Sequence, residues 1–328
     1  MRSFGSSGVT VSRLCLGTVT FGGQCDATES RRILDRAVDA GITFLDTADS
    51  YPATGSPQLK GRTEELIGEW VRGRRGDVAI ATKGGAAVGP GAWDRGTSRK
   101  HLLQAVDASL RRLRTDYIDL YQVHLYDPFT PHDETLSALD HLVSTGKVRS
   151  VGCSNYPAWR LAQAIGRSEL RGIERFASVQ PRYSLLHRAC ERDLLPLCTE
   201  AGIAVLPYNV LAGGVLTGKH RGRSTPLPGT RLSAGPIKDI YRHRYWNDEM
   251  RTAVDALSRL ADDSGLSLTQ LSVAWVLHQP TVVSAIVGAS RSDQLDDVLA
   301  AADVVLDAEQ LTQIDLVTAG LRCRCADL

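Results

Sequence analysis

Two hydrophobic patterns alternate along the chain. In the first, apolar residues recur at three- and four-residue intervals. Ile33, Leu34, Ala37 and Val38 do so in "RRILDRAVDA", and Leu136, Leu139, Leu142 and Val143 in "LSALDHLVS". That spacing gives a helix one apolar face. In the second, short apolar runs such as "ITFL" are continuous, as expected of strands covered by helices. The two patterns are joined in "RRILDRAVDAGITFLDT", "LSALDHLVSTGKVRSVGCS" and "LLPLCTEAGIAVLPY". Gly41, Gly146 and Gly202 mark the junctions, where a left-handed residue ends a helix.

Strands are predicted at 13–17, 42–46, 77–83, 117–124, 147–153, 177–181, 203–207 and 283–288. About eight strands, most followed by a helix, predict an α/β fold of the (β/α)8 TIM-barrel type, as a single domain over 1–328. The alternative is an open, doubly wound sheet, which would carry G-x-G-x-x-G after its first strand if it bound a dinucleotide. Here the first strand runs into "GTVTFGG". Residues 84–97 and 219–247 interrupt the rhythm after strand ends, where barrels build their active sites, and are predicted to be long loops.

Polar residues close three of the apolar runs: Asp46, Lys83 and His124, with Tyr51 in the loop after Asp46. Taken singly, each has an ordinary reading: a turn former, a rim salt bridge, a structural histidine, a packed ring. In a barrel they share one rim, on strands spaced about 4.8 Å apart. A free phenol has a pKa of about 10, and a neighbouring ammonium lowers it. Lys83, held by Asp46, is expected to do so, making Tyr51 a proton donor to a carbonyl oxygen that His124 orients. Such a carbonyl suits hydride delivery from a nicotinamide, with no metal needed.

Composition narrows the field. Lys+Arg number 38 against 37 Asp+Glu, which gives no footprint for nucleic acid or a membrane surface. The N-terminus does not resemble a signal peptide, and no apolar run is long enough to cross a bilayer. Seven scattered cysteines fit reduced thiols and a cytoplasmic location. Cys323 and Cys325 form a "CRC" that reads as tail rather than as a metal or redox pair.

With "LGTVTFGG", "GITFLDTADSY", "ATK", "DLYQVH", "GKVRSVGCSNY", "SVQPRYSLL", "LAGGVLTGK" and "AIVGASRSDQL" in this order, the chain resembles the aldo-keto reductases over nearly its full length. The resemblance implies a (β/α)8 barrel with an N-terminal β-hairpin, and NADPH as the usual cofactor, with NADH as the alternative. It places the catalytic tetrad on Asp46, Tyr51, Lys83 and His124. Ser154, Asn155 and Gln180 fall where the nicotinamide amide is held, and Tyr208 where its ring is stacked. Gly17 and Thr18 line the cofactor. Asn209, Leu211, Gly213, Leu216 and Lys219 match the pyrophosphate loop, and Gly288, Ser290, Gln294 and Asp297 the adenosine end. Arg231 or Arg291 suits a 2′-phosphate. The chain departs from the family at Asn209-Val210, commonly Ser-Pro, and at Val298, often Asn.

The late loop supports further readings. "GGVLTGKH" nearly matches a phosphate loop, but His220 stands where a hydroxyl is required, against a triphosphatase. Tyr241, Tyr245 and Trp246 either line a substrate pocket or pack the loop, and Arg242, His243 and Arg244 form a solvated face or bind polar substrates. Trp93, Leu125 and Tyr126 join Trp246 as substrate-contact candidates. The expected function is reduction of an aldehyde or ketone, a keto-sugar or secondary-metabolite carbonyl among them. The alternative, also implied by the resemblance, is a cofactor-binding regulatory subunit with little turnover. The sequence carries no sign of oligomeric state.

Overall fold

The computed structural model describes residues 1–5 and 8–322; Cys323 and Cys325 lie outside the described residues. An antiparallel hairpin opens the chain, β1 (Arg2–Ser3) pairing with β2 (Thr10–Val11). Eight parallel strands follow: β3 (Leu14–Gly17), β4 (Phe44–Asp46), β5 (Ala79–Gly84), β6 (Ile118–Val123), β7 (Val148–Ser154), β8 (Ser178–Gln180), β9 (Ala204–Val205) and β10 (Ala285–Gly288). They are ordered as in the chain, with β10 beside β3. The remaining gap is bridged where the Val283 N–H donates to Val205 O at 3.0 Å and the Ile286 N–H to Pro207 O at 2.8 Å. The sheet is therefore a barrel. A doubly wound sheet would need a reversal of strand order, and there is none.

Helices α1 (Ala27–Asp39), α2 (Arg62–Trp70), α3 (Arg99–Leu113), α4 (His132–Ser144), α5 (Ala158–Arg171) and α6 (Leu194–Ala201) link successive strands. Between β9 and β10 run α7 (Lys238–Tyr245), α8 (Asp248–Asp263) and α9 (Leu268–His278), and α10 (Leu295–Ala300) and α11 (Ala308–Thr318) follow. The second interrupting segment is thus not all loop, since α7 forms inside it. The periodic residues behave as the pattern predicts: α1 buries Ile33, Leu34 and Ala37, and Asp26 caps it by accepting the Glu29 N–H. Gly41, Gly146 and Gly202 are all left-handed. No described helix is long and apolar enough to cross a membrane.

Strand alternation creates two cores. Phe44, Ala81, Leu120 and Ile286 point into the barrel, where Phe4 of the hairpin end meets Phe44 edge-on at 6.1 Å. Leu45, Ile80, Tyr121 and Val123 point outward beneath the helices. Because side chains repeat every second residue, a polar residue two positions after an inward apolar one also points inward. Asp46 follows Phe44 in this way, Lys83 follows Ala81, and residue 122 follows Leu120.

Candidate active site

Asp46 and Lys83 meet inside the top of the barrel, both buried. Lys83 Nζ donates to Asp46 Oδ2 at 2.6 Å and to Thr47 O at 2.8 Å. The second carboxylate oxygen, Oδ1, accepts from Gln180 Nε2 at 2.8 Å and from Gln122 Nε2 at 3.3 Å. A buried ion pair survives desolvation only when its remaining hydrogen-bonding positions are filled, and these two amides fill them. Thr18 fixes the strand end from below, its N–H and hydroxyl both donating to Asp46 O, at 3.0 and 2.9 Å. Gln122 was not singled out from the sequence. Its signal was available: an amide at an inward position of an otherwise apolar strand, two residues before His124.

Tyr51 and His124 stand over this pair. The Lys83 ammonium lies 5.0 Å from the centre of the Tyr51 ring, and the Tyr51 and His124 rings meet edge-on at 5.9 Å. His124 is anchored by its backbone, its N–H donating to Gly84 O at 2.9 Å, while Nδ1 lies 3.4 Å from Ser50 Oγ. Burial first, then the Lys83 and Lys60 charges, hold the imidazole down to about 3. It is neutral at ordinary pH. Desolvation pushes Lys83 down, but Asp46 and Tyr51 outweigh it and keep the ammonium above its usual range. For Tyr51 the net direction differs from the sequence expectation. Lys83 does pull the phenol down, but burial pushes it up more strongly and Asp46 adds to the rise. Tyr51 is therefore held protonated.

Beside the tetrad, Asn155 connects three elements from a left-handed position (φ 57°). Its Nδ2 donates to His124 O at 3.2 Å and Ser154 Oγ at 3.0 Å, and its Oδ1 accepts from the Tyr208 hydroxyl at 2.8 Å. Ser154 Oγ donates to Gln180 O at 2.9 Å. Ser154, Asn155, Gln180 and Tyr208 are thus brought together. Asn209, in place of the family's Ser, shapes the next turn: Oδ1 accepts the Gly213 N–H at 2.8 Å and Nδ2 donates to the Tyr245 hydroxyl at 2.7 Å. Gly213 is left-handed, and a Cβ there would fall 2.3 Å from the Tyr241 ring. Leu211 is half-buried at that turn, whereas Leu216 is sunk in the core, so only its backbone can face a ligand. Desolvation, then Arg231 and Arg291, pull the Lys219 ammonium down.

Gly17 and Gly288 pair across β3 and β10. A side chain on Gly17 would meet Ile286 at 2.8 Å. The Ser290 N–H and hydroxyl both donate to Gln294 Oε1, at 2.9 and 3.2 Å. Asp297 is exposed on α10 and Val298 is buried beside it. Arg291 bonds Asp293 at 3.1 Å.

The substrate-contact candidates divide. Trp93 (61% exposed) and Leu125 (50% exposed) are open. Tyr126 is turned to the flank, its ring against Tyr156, His132 and the Arg160 guanidinium, where a cavity of about 390 Å³ opens. Trp246 is half-buried, packed edge-on against His220 at 5.5 Å. Tyr245 is buried and packs the loop, while Tyr241 lies close enough to Tyr51 to raise its phenol slightly.

Comparison with known proteins places this architecture. The pattern of the Aldo/keto reductase family matches residues 13–319. "Uncharacterized oxidoreductase YrpG" of Bacillus subtilis is 36% identical over 324 residues, covering 96% of this chain and 95% of that protein. A "Probable voltage-gated potassium channel subunit beta" of Arabidopsis thaliana is 35% identical, covering 93% and 91%. "Norsolorinic acid reductase stcV" of Emericella nidulans is 33% identical, covering 94% and 79%. The match begins at the first barrel strand and ends just past α11, and on that extent this chain belongs to the aldo/keto reductase family.

Proposed function

We propose that this protein reduces an aldehyde or ketone to the alcohol, using a nicotinamide dinucleotide and Tyr51 as the proton donor. The observation that carries the reading is the buried Lys83–Asp46 pair at 2.6 Å beneath the Tyr51 phenol. When bound, the cofactor supplies a hydride to the carbonyl carbon. The protein's own part is the oxygen. Tyr51, held protonated, gives its proton to that oxygen, and the phenolate left behind is stabilised by the Lys83 ammonium. Asp46 keeps the ammonium in place. His124, neutral and close to the Tyr51 ring, directs the oxygen without competing as an acid.

The donor set suits the dinucleotide. Ser154, Asn155 and Gln180 offer the donors and acceptors an amide needs, and the Tyr208 ring a stacking surface. Lys219 and Arg231 have no carboxylate partner among the described residues, which fits phosphate and supports NADPH over NADH.

A second reading has one observation in its favour: the potassium-channel β-subunit name carried by a 35%-identical relative. It makes the protein a cofactor-holding partner subunit. Multiple-turnover loss of NADPH absorbance separates the two, using a panel of aldehydes, keto-sugars and norsolorinic acid. Repeated turnover is expected; tight NADPH binding with less than one turnover per site would favour the subunit reading.

A further inference from the structure

We propose that Arg182, with Arg244 beside it, receives an anionic oxygen group carried by the carbonyl substrate, so that the preferred substrates are acids; this rests on the carbonyl-reductase reading above.

Arg182 follows Gln180 by two residues, just past the end of β8, and its backbone bridges Tyr208. It is only 8% exposed, its guanidinium has no hydrogen bond or ion pair to any described residue, and its nitrogens are not among the sealed unpaired atoms, so they keep what exposure the residue has. A guanidinium cannot shed its proton to escape burial, and a buried charge left unpaired is costly. The other deeply buried arginine among the described residues shows the usual solution. Arg188 bonds Glu191, Asp315 and Thr318, at 2.7, 2.7 and 2.6 Å. Nothing comparable serves Arg182.

Its surroundings deepen the imbalance. The charged and polar groups that act most on Tyr208 are Arg182, Arg244, Tyr241 and Tyr51, two cations and two phenols. The same two arginines act on the buried Tyr245. Arg244 is half-buried and also without a hydrogen bond or ion pair among the described residues. Both guanidinium groups thus act on the Tyr208 hydroxyl, and no carboxylate is among the groups that act most on it. A planar guanidinium matches a carboxylate or phosphate with paired hydrogen bonds.

The position points to the substrate rather than to the dinucleotide phosphates. Arg231 and Arg291 act on Lys219, and none of these three is among the groups that act most on Tyr208. Arg182 instead lies at the tetrad end, since the Tyr208 it borders bonds Asn155, which bonds His124 O. A carbonyl at Tyr51 and His124 would present its remote acid group to Arg182.

The test uses the full-length protein saturated with NADP+. Benzoate and benzamide, alike in shape and different in charge, are titrated calorimetrically against wild type, Arg182→Met and Arg182→Lys. Turnover of 4-carboxybenzaldehyde is compared with that of its neutral methyl ester. Arg182→Met is expected to weaken benzoate about tenfold more than benzamide, the loss of one charged hydrogen-bonded contact. It should lower kcat/KM for the acid at least as much more than for the ester. Arg182→Lys should recover part of the difference. Equal effects on acid and neutral ligand, or none, overturn the assignment. So does a loss of NADP+ affinity with benzoate unaffected, which would give the guanidinium to the cofactor. Failure of wild type to reduce either aldehyde would sink the reductase reading while leaving the benzoate comparison intact.

Discussion

Asp46 and Asp49 lie three residues apart, are almost equally buried, and face opposite sides of the same sheet. Asp46 points into the barrel and is surrounded by donors: Lys83, Gln122 and Gln180. Asp49 sits outside, beneath the helices, and its side-chain oxygens have no hydrogen-bond partner. Its backbone still serves the site, the N–H donating to Lys83 O at 3.0 Å. Burial, then the nearby Glu64, push the Asp49 carboxyl well above its usual range, so it is held neutral. Glu64 takes the local guanidinium instead, accepting from Arg112 Nε at 2.7 Å and from the Thr82 hydroxyl at 2.6 Å. Equal burial thus leaves one carboxylate paired and the other carboxyl neutral. What differs is the donor set, and only the paired one holds a buried cation.

Removing that cation is the strongest way to break the contrast. Lys83→Met leaves Asp46 with only the two amides, and should cost about 3–5 kcal/mol of stability in denaturant melts. Turnover should fall at least as far as in Tyr51→Phe. Adding Asp46→Asn is expected to restore much of the stability and none of the turnover, which separates folding from chemistry.

Tyr51→Phe tests the proton donor with the ion pair left in place. Carbonyl reduction should fall about 10²–10⁴-fold, the usual range for a general acid, with NADPH affinity within a factor of two by fluorescence titration. Unchanged turnover would remove Tyr51 as the acid.

At the phosphate end, Arg231→Ala or Arg291→Ala should narrow an NADPH-over-NADH preference roughly tenfold, as loss of a charged hydrogen bond does. If neither moves the ratio of kcat/KM values, the 2′-phosphate contact lies elsewhere.

The smallest effect belongs to Asp49→Asn. A raised folded pKa favours the fold below the ordinary carboxylate range, and that contribution is lost as pH rises through the raised value. Asparagine has no such loss. The variant should lie within about 1 kcal/mol of wild type near pH 4, where its effect is smallest, and gain on it as pH rises above the ordinary carboxylate range, in urea melts at each pH. A constant difference across pH would show that Asp49 is ionised in the fold.

Most of this site was legible because its signals are local. A strand's inward face repeats every second residue, so Asp46, Lys83 and His124 could be assigned to one rim from the ends of three apolar runs. Gln122 obeyed the same rule and was passed over, because an amide inside a strand carries less obvious chemistry than a charge. The ring contacts of Tyr126 and Trp246 were not legible in the same way. Nothing in their neighbours along the chain announces the Tyr156, His132 and His220 rings that engage them.

The order of elements, the strand ends and the four candidate side chains at one rim follow from the sequence alone, since periodicity and chain reversal act over a few residues. The state of those side chains was decided by closure of the barrel. Gln180 reaches Asp46 across 134 residues of chain, burial outweighs Lys83 at Tyr51, and Arg182, largely covered, meets no carboxylate among the described residues. Desolvation and partner sets depend on which distant segments arrive, and no local spacing encodes them.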